Sequence, residues 1–469
     1  MPPVASPATS ASIPGAPAAP APAPIAKPSV TDAAPTRVLS IDVLRGITIA
    51  FMILVNDPGD WAHTYAQLDH AEWNGFTLTD LVFPTFLFIV GTSIILSLQS
   101  RIARGESKKT LALHILRRSA IIFAIDLFFA LYPHFHYTHM RLYGVLTRIA
   151  LCYLCTGLIC LAVWNATQRA NKILAIAAAL LIGYWALMRF VPVPGFGTPT
   201  HDMPILDPDR NLAAWLDRGI TDFLQRTIHT GRLYRHTNDP EGLLSTLPAI
   251  ATTLLGSITA LWLRKVNSGA QKEASSRPER SGVEGPRDTS LTQTARTFSP
   301  ETPSPKTPSP QTQPPARLLT GLLLAGILSL AAGLLWNLWF PINKNLWTSS
   351  YVLFSAGWAL LGLAAFYWLI DIRHFNQTKA GKWFIWPWLV FGSNAIAVFC
   401  ISVFLVENMI WIKVPDGGKT VTVWFWIYHH LFAFNGSTKN TSLAFALAFV
   451  AVCFIPNWLL WRKKIFLKI

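Results

Sequence analysis

Apolar runs of membrane-crossing length, separated by short polar segments, dominate the chain. A hydrocarbon core takes roughly 17–25 apolar residues per helix. Runs of that kind cover 38–56, 79–99, 115–132, 144–163, 173–191, 243–263, 317–340, 349–370, 386–406 and 441–461. A further apolar patch, Val421 to Phe434, is short and broken by His429 and His430. It reads as interfacial or re-entrant, with an eleventh span as the alternative. The pattern predicts an all-α fold, a polytopic transmembrane helix bundle of about ten or eleven spans.

The segments between the runs divide the chain. Residues 1–36 are rich in Ala, Pro and Ser, with neither a basic n-region nor a continuous apolar h-region, and read as a disordered tail rather than a cleavable signal. Residues 266–316, rich in Pro, Ser, Thr and charge, read as a disordered linker between a first membrane part, 37–265, and a second, 317–469. Within the long loop 192–242, Leu212, Trp215, Leu216, Ile220, Phe223 and Leu224 recur at helical spacing, with Asp217, Arg218, Asp222 and Arg226 mostly opposite. That is an amphipathic helix, expected on the membrane surface or capping the bundle.

Basic residues set the expected orientation. The 101–118 loop carries Arg101, Arg104, Lys108, Lys109, Arg117 and Arg118, whereas the loop from Asn56 to Leu78 has no Lys or Arg. The first should be cytoplasmic and the second outside. Alternation then places the linker and both termini in the cytoplasm. Lys344 and the mixed 407–440 region alone break the rule. A multi-pass protein of the cell membrane is expected, the inner one where the source has two.

Composition agrees. Hydrophobic residues make up 52% and charged ones 13%, with 19 Trp suited to the headgroup boundary. The formal charge of +15 lies in loops between apolar runs, which argues against a nucleic-acid partner. The five cysteines all fall inside apolar segments; Cys152-x-x-Cys155 has no second pair, so core filling is favoured over a metal or redox role. No metal is expected.

Candidate chemistry concentrates in Leu68–Pro84, where His70, Trp73, Asn74 and Asp80 lie between two apolar runs and Asn56 closes the preceding one. Histidine can take and return a proton near neutral pH. Asp80 stands where a helix begins, so N-capping competes with catalysis. Ionisable groups inside spans each need a reason. Asp42 and Arg45, at i, i+3, form either a structural pair or part of an anion site. Arg148, one turn into its span, needs a carboxylate, carbonyls or a phosphate. Asp126 has no evident partner beyond these arginines. Taken singly, these residues also suit a transporter or channel for a sugar or glycan precursor, although no pair of like halves is evident.

Taken together, Arg37-Val-Leu-Ser-Ile-Asp-Val-Leu-Arg-Gly46, Val55-Asn56, His70-Ala-x-Trp-Asn-Gly-x-Thr-x-x-Asp-Leu-Val-Phe-Pro84, Gly91-Thr-Ser93, Arg141-Leu-Tyr-Gly-Val-Leu-Thr-Arg-Ile-Ala150, Asp239–Pro248, Asn343–Ser349 and Phe391–Ala395 form ordered blocks. They resemble the catalytic membrane domain of the heparan-α-glucosaminide N-acetyltransferase family, polytopic acyltransferases that use acetyl-CoA. The resemblance implies a bacterial-type member in which the Ala/Pro tail stands where the animal enzyme has its luminal domain. It aligns His70 with the family's catalytic histidine and Asn56 with its active-site asparagine, at a slightly longer spacing. The expected activity is acetyl transfer from cytoplasmic acetyl-CoA, as co-substrate, to an amino-sugar or other glycan acceptor outside. His70 would be base or acyl carrier, Asn56 oxyanion donor or orienting group, and Asp80 a further catalytic candidate. Arg45, Arg118 and Arg148 would meet the CoA phosphates. The bilayer is the other expected partner, and a homodimer is compatible with the reading.

Overall fold

The computed structural model describes residues 38–275 and 313–467. The expected tail 1–36 and the middle of the expected linker, 276–312, lie outside the described residues. The chain runs through α1 (Leu39–Asn56), α2 (Val82–Ala103), α3 (Lys108–Leu131), α4 (Val145–Ala162), α5 (Arg169–Phe190), α6 (Leu212–Ile228) and α7 (Thr246–Ser275). After the linker come α8 (Gln313–Trp336), α9 (Ser349–Phe366), α10 (Lys379–Ser393) and α11 (Ala395–Trp411). A hairpin of β1 (Lys413–Asp416) and β2 (Lys419–Thr422), α12 (Val423–Ile427) and α13 (Lys439–Arg462) complete it. Helical residues therefore extend into both ends of the expected 266–316 linker.

Among the described residues, eight helices are long and apolar enough to cross a membrane, and the pair α10–α11 would be a ninth if counted as one span. The ten expected runs differ from this at two places. The 115–132 run is helical, but α3 also carries Lys108, Lys109, Arg117, Arg118 and Asp126. It is fixed to α4 by the Ser119 hydroxyl, which donates to Ala150 O at 2.8 Å. The 386–406 run is not one helix, because the axis turns by 79° between α10 and α11. Asn394 occupies that break and ties it to the chain after α13. Its Nδ2 donates to Ile465 O at 3.1 Å and its Oδ1 accepts from Leu467 N at 2.8 Å. Hydropathy alone cannot see a break flanked by apolar residues on both sides.

The Val421–Phe434 patch is not an eleventh span. Beyond β2 it forms only α12 and a π-helical turn ending at Phe432, about 15 Å of helix rise. The hairpin before it turns at Gly417 and Gly418, with φ 55° and 82°. Two left-handed residues suit a two-residue turn whose twist matches the strands.

The interior is built where spans cross closely. Gly91 of α2 faces Thr253 O of α7, and Gly256 of α7 faces Phe88 O of α2, so a Cβ at either would strike backbone. The Ser257 hydroxyl closes this crossing by donating to Gly91 O at 3.0 Å. Around it Ile53, Leu87, Ile95, Leu254 and Val352 form the main apolar core. Outward-facing Leu324, Ile327 and Leu328 on α8 leave an apolar surface, as a helix facing lipid does.

Helix α6 confirms the amphipathic reading of the 192–242 loop, but its buried face is not the apolar one. Ala213, Ala214 and Asp217 are buried, while Trp215 and Phe223 are exposed. Asn211 caps the helix by accepting from Ala214 N at 2.9 Å. The helix docks through Asp217 and the two alanines, with Asp217 accepting from Leu243 N at 3.0 Å in the segment leading to α7. Burial pushes the Asp217 carboxyl up to about 7.

Candidate active site

The loop between α1 and α2 folds around one carboxylate. Asp80 lies in the 3-10 turn Thr79–Leu81 that leads into α2, its side chain 1% exposed. Its Oδ2 accepts from Thr77 N at 3.0 Å, Ala71 N at 3.1 Å and the Thr77 hydroxyl at 3.2 Å. Its Oδ1 accepts from His70 Nδ1 at 2.8 Å. Asp80 is not an N-cap, since neither this turn nor α2 has a side-chain cap; it organises the loop and orients the histidine instead. An ionised carboxylate only accepts, so Nδ1 carries the ring hydrogen and Nε2 keeps the lone pair. The His70 side chain is 41% exposed, which leaves that lone pair reachable.

The second membrane part supplies the other wall. In the loop joining α8 to α9, Asn343 is fully buried. It donates from Nδ2 to Asn74 Oδ1 at 3.1 Å and accepts from Leu346 N at 2.9 Å. Gly75 N donates to Ile342 O at 2.8 Å. Lys344 Nζ then reaches His70 Nδ1 at 2.9 Å and Nε2 at 3.0 Å, and Asp80 Oδ1 at 3.7 Å. Near-equal distances to both nitrogens put the ammonium against the ring rather than in line with the Nε2 lone pair. Burial lowers the Lys344 pKa, opposed by the Asp80 and Glu241 carboxylates.

Trp347 fixes this loop. Its φ of 49° is left-handed, which a bulky residue holds only when its surroundings determine it. Here the indole is 1% exposed, lies edge-on to Phe83 and Tyr351 and donates to the Thr252 hydroxyl at 3.2 Å. The Tyr351 hydroxyl in turn donates to Asp80 O.

A charged cluster adjoins on the other side. Arg141 donates to both oxygens of Asp239, at 2.9 and 2.6 Å, and to Glu241 at 2.6 Å. Despite its burial, Glu241 is held below the usual carboxylate range by Arg141, Arg148 and Lys344. Asp239 and Glu241 are therefore ion-pair partners of Arg141. Arg148 is 1% exposed; it donates to Gly242 O at 3.0 Å and to the Ser245 hydroxyl, with its guanidinium 5.0 Å from the Trp347 ring centre. Its Nε and Nη1 have no partner among the described residues. Beyond Trp73, whose indole donates to Leu206 O at 2.7 Å, lies a cavity of about 260 Å³ lined by Arg218, Arg232, Tyr234, Arg235 and His236. The Arg235 guanidinium is 6.0 Å from the Trp73 ring centre.

The expected site residues fall into separate groups. His70 and Asp80 are joined directly. Asn56 ends α1 with an exposed side chain and makes no hydrogen bond to either. Arg45 and Arg118 share one cavity of about 290 Å³ with Ser93, Tyr153 and Asn394. Arg45 pairs with Asp42 at 3.0 Å and donates to the Ser93 hydroxyl at 2.9 Å, whereas Arg118 lies 4.7 Å from the Tyr153 ring centre with its Nε unpartnered among the described residues. Arg148 is not with them; it sits at the opposite end of the spans, beside the histidine loop. Asp126 does not pair with an arginine but accepts from Thr147 N at 3.0 Å, closing the first turn of α4.

Sequence reasoning missed Lys344. Its one signal was a lysine in a short loop that breaks the expected alternation of basic residues, inside a matched block.

Comparison with known proteins agrees with the sequence blocks. Residues 37–208 match the family model described as heparan-alpha-glucosaminide N-acetyltransferase, catalytic. The chain is 27% identical to the heparan-alpha-glucosaminide N-acetyltransferase of Homo sapiens over 484 residues, which cover 93% of this chain and 60% of that protein. It is 26% identical to that of Mus musculus over 412 residues, 80% of this chain and 54% of that protein. The chain thus spans somewhat over half the length of the curated relatives it matches. Residues 37–208 are thus similar to that catalytic family, and the described helices are those of a multi-pass membrane protein.

Proposed function

We propose that the protein moves acetyl groups from cytoplasmic acetyl-CoA to an amino-sugar or other glycan acceptor on the outer side of the membrane. The observation that carries this reading is the His70–Asp80 pair, a partly open imidazole held by a buried carboxylate at the mouth of a helix bundle. Asp80 fixes the Nδ1–H tautomer, so Nε2 takes the proton of the attacking amine or hydroxyl and the imidazolium that forms is stabilised by the carboxylate. Asn56, on the same end of α1, is assigned to the developing oxyanion. The Arg45–Arg118 cavity suits the CoA phosphates, because it opens at the other end of the spans and offers an unpartnered guanidinium nitrogen. An acceptor glycan would rest against Tyr234 and Arg235, next to Trp73.

The test uses the purified full chain, labelled acetyl-CoA and glucosamine as acceptor. His70→Ala should lower transfer by at least ~10²-fold while thermal stabilisation by CoA persists. A folded His70→Ala protein with near wild-type transfer rejects the mechanism. Transport without label transfer, and no stabilisation by CoA, would favour the transporter reading instead.

A further inference from the structure

Transfer from a thioester to an amine needs two proton movements: one away from the amine, the other onto the departing thiolate. His70 and Asp80 account for the first. We propose that Lys344 performs the second, as the general acid that protonates the CoA sulfur, and that it recovers its proton from His70. This rests on the acetyltransfer reading above.

Three observations carry it. Lys344 Nζ lies within 3.0 Å of both ring nitrogens of His70, against the ring face, so once it has given up a proton a shift of the flexible lysine side chain brings its neutral amine in line with Nε2–H of the imidazolium. The amine stands between two carboxylates from different loops, Asp80 at 3.7 Å and Glu241, which keep it charged at rest and oriented. The Asn343–Thr348 loop that presents it is locked by Trp347 and by the buried Asn343–Asn74 bond. A lysine held only for structure would not need to face a base. Burial, which lowers its pKa, brings its acidity towards that of a thiol, as a proton donor to sulfur requires. The charged and titratable groups around the relay are Asp80 on the α2 side, Glu241 and Arg148 on the α4–α7 side, and Asp69 next to His70.

The cycle closes without another reactant. The acceptor nitrogen bonds to the acetyl carbon and its proton passes to His70 Nε2. The carbon–sulfur bond breaks, its electron pair leaves on sulfur, and the sulfur takes a proton from Lys344 Nζ. The imidazolium then returns its proton to the neutral lysine amine. In net, the acceptor's proton ends on the CoA thiol, and both side chains are restored.

The test varies the leaving group, with glucosamine as acceptor throughout. Lys344→Met should lose at least ~10²-fold with acetyl-CoA but only a few-fold with S-phenyl thioacetate, whose thiolate departs without a proton. Lys344→Arg should fail like Lys344→Met, because a guanidinium keeps the charge but does not give up its proton. His70→Ala should fail with both donors. Near wild-type transfer from acetyl-CoA by Lys344→Met, rescue by Lys344→Arg, or equal loss with both donors would each overturn the proposal. The wild-type chain gives a reading that depends on no variant: across acetyl thioesters of increasingly basic thiols its rate should stay nearly level, and a steep fall would also overturn it. If His70→Ala stays active, or the wild type acetylates glucosamine from no donor, the acetyltransfer reading itself falls and takes this proposal with it.

Discussion

Replacing Asp80 by Asn tests the site where folding and chemistry meet. The side chain keeps its shape but loses its charge and half of its acceptor capacity. Oδ2 serves two backbone N–H groups and the Thr77 hydroxyl, so the amide oxygen of Asn must stay there to keep the loop. The amide NH2 then faces His70 Nδ1 and Lys344. The imidazole can meet it only by moving its hydrogen to Nε2, the nitrogen that should act as base. A base locked in the wrong tautomer should cost ~10²–10⁴-fold in transfer rate. Stability should fall by about 2–3 kcal/mol, the value of one charge-assisted hydrogen bond; Glu241 limits the further loss by remaining near Lys344. Initial rates with acetyl-CoA and thermal unfolding in detergent measure the two effects separately. The reasoning fails if Asp80→Asn transfers acetyl at near wild-type rate, or if its stability drops while the rate per folded molecule is unchanged.

Further outcomes follow from the outer charged groups and the far cavity. The Asp217 carboxyl is pushed up from 3.8 to about 7 by burial, so the unfolded chain gives up this proton earlier than the folded one as pH rises. Stability should therefore decline between about pH 4 and pH 7 and level off above, by at most ~4 kcal/mol from this group. Asp217→Asn, which keeps the acceptor for Leu243 N, should be more stable than wild type at pH 8 and close to it at pH 4; an equal difference at both would contradict the linkage. Arg141→Met removes the cation that pairs directly with Asp239 and Glu241 and should cost about 3–5 kcal/mol, largely recovered by adding Asp239→Asn; thermal unfolding of both variants decides. Arg45→Ala and Arg118→Ala should each weaken CoA binding about tenfold, the equivalent of one lost charge-assisted contact, with little effect on transfer from S-phenyl thioacetate, which has no phosphates. Unchanged CoA affinity in isothermal titration would remove the cavity from consideration.

Hydropathy found the spans because a bilayer demands continuous apolar length, and it found α6 because amphipathic spacing is local. It did not say which face of α6 would be buried. Trp215 and Phe223 make the better apolar face, yet Ala213 and Asp217 dock, since the Leu243 N–H offers Asp217 a partner that helical periodicity cannot reveal. The histidine loop was legible for a related reason: His70, Trp73 and Asp80 fall within a short stretch that has no need of them as solvating residues. Lys344 was not, because its contact with His70 spans 274 positions and crosses the linker. The role of Arg148 was equally hidden. A buried arginine announces that it needs acceptors, but only the fold shows Gly242 O and Ser245 to be two of them. The break at Asn394 is silent in hydropathy and visible only through the backbone groups it binds.

The separation of the arginines imposes a geometry on the reaction. Arg45 and Asn56 lie on the same helix, eleven residues apart in sequence, which is roughly 16 Å of rise. Under the proposed function, a donor anchored by phosphates near Arg45 and Arg118 would have to extend along α1 to bring its acetyl group to the histidine loop. Acetyl-CoA has that form, with phosphates at one end of a long flexible arm and the thioester at the other. A small donor without phosphates could meet His70 from the outer side alone. Arg148 does not share the cavity of the other two arginines. Buried beside Glu241 and packed against Trp347, with two donors unpartnered among the described residues, it would, under the proposed function, lie at the end of the bundle where charge develops on the acyl oxygen. Anchoring at one end and chemistry at the other is the arrangement that the proposed transfer, from a donor on one side of a membrane to an acceptor on the other, would require.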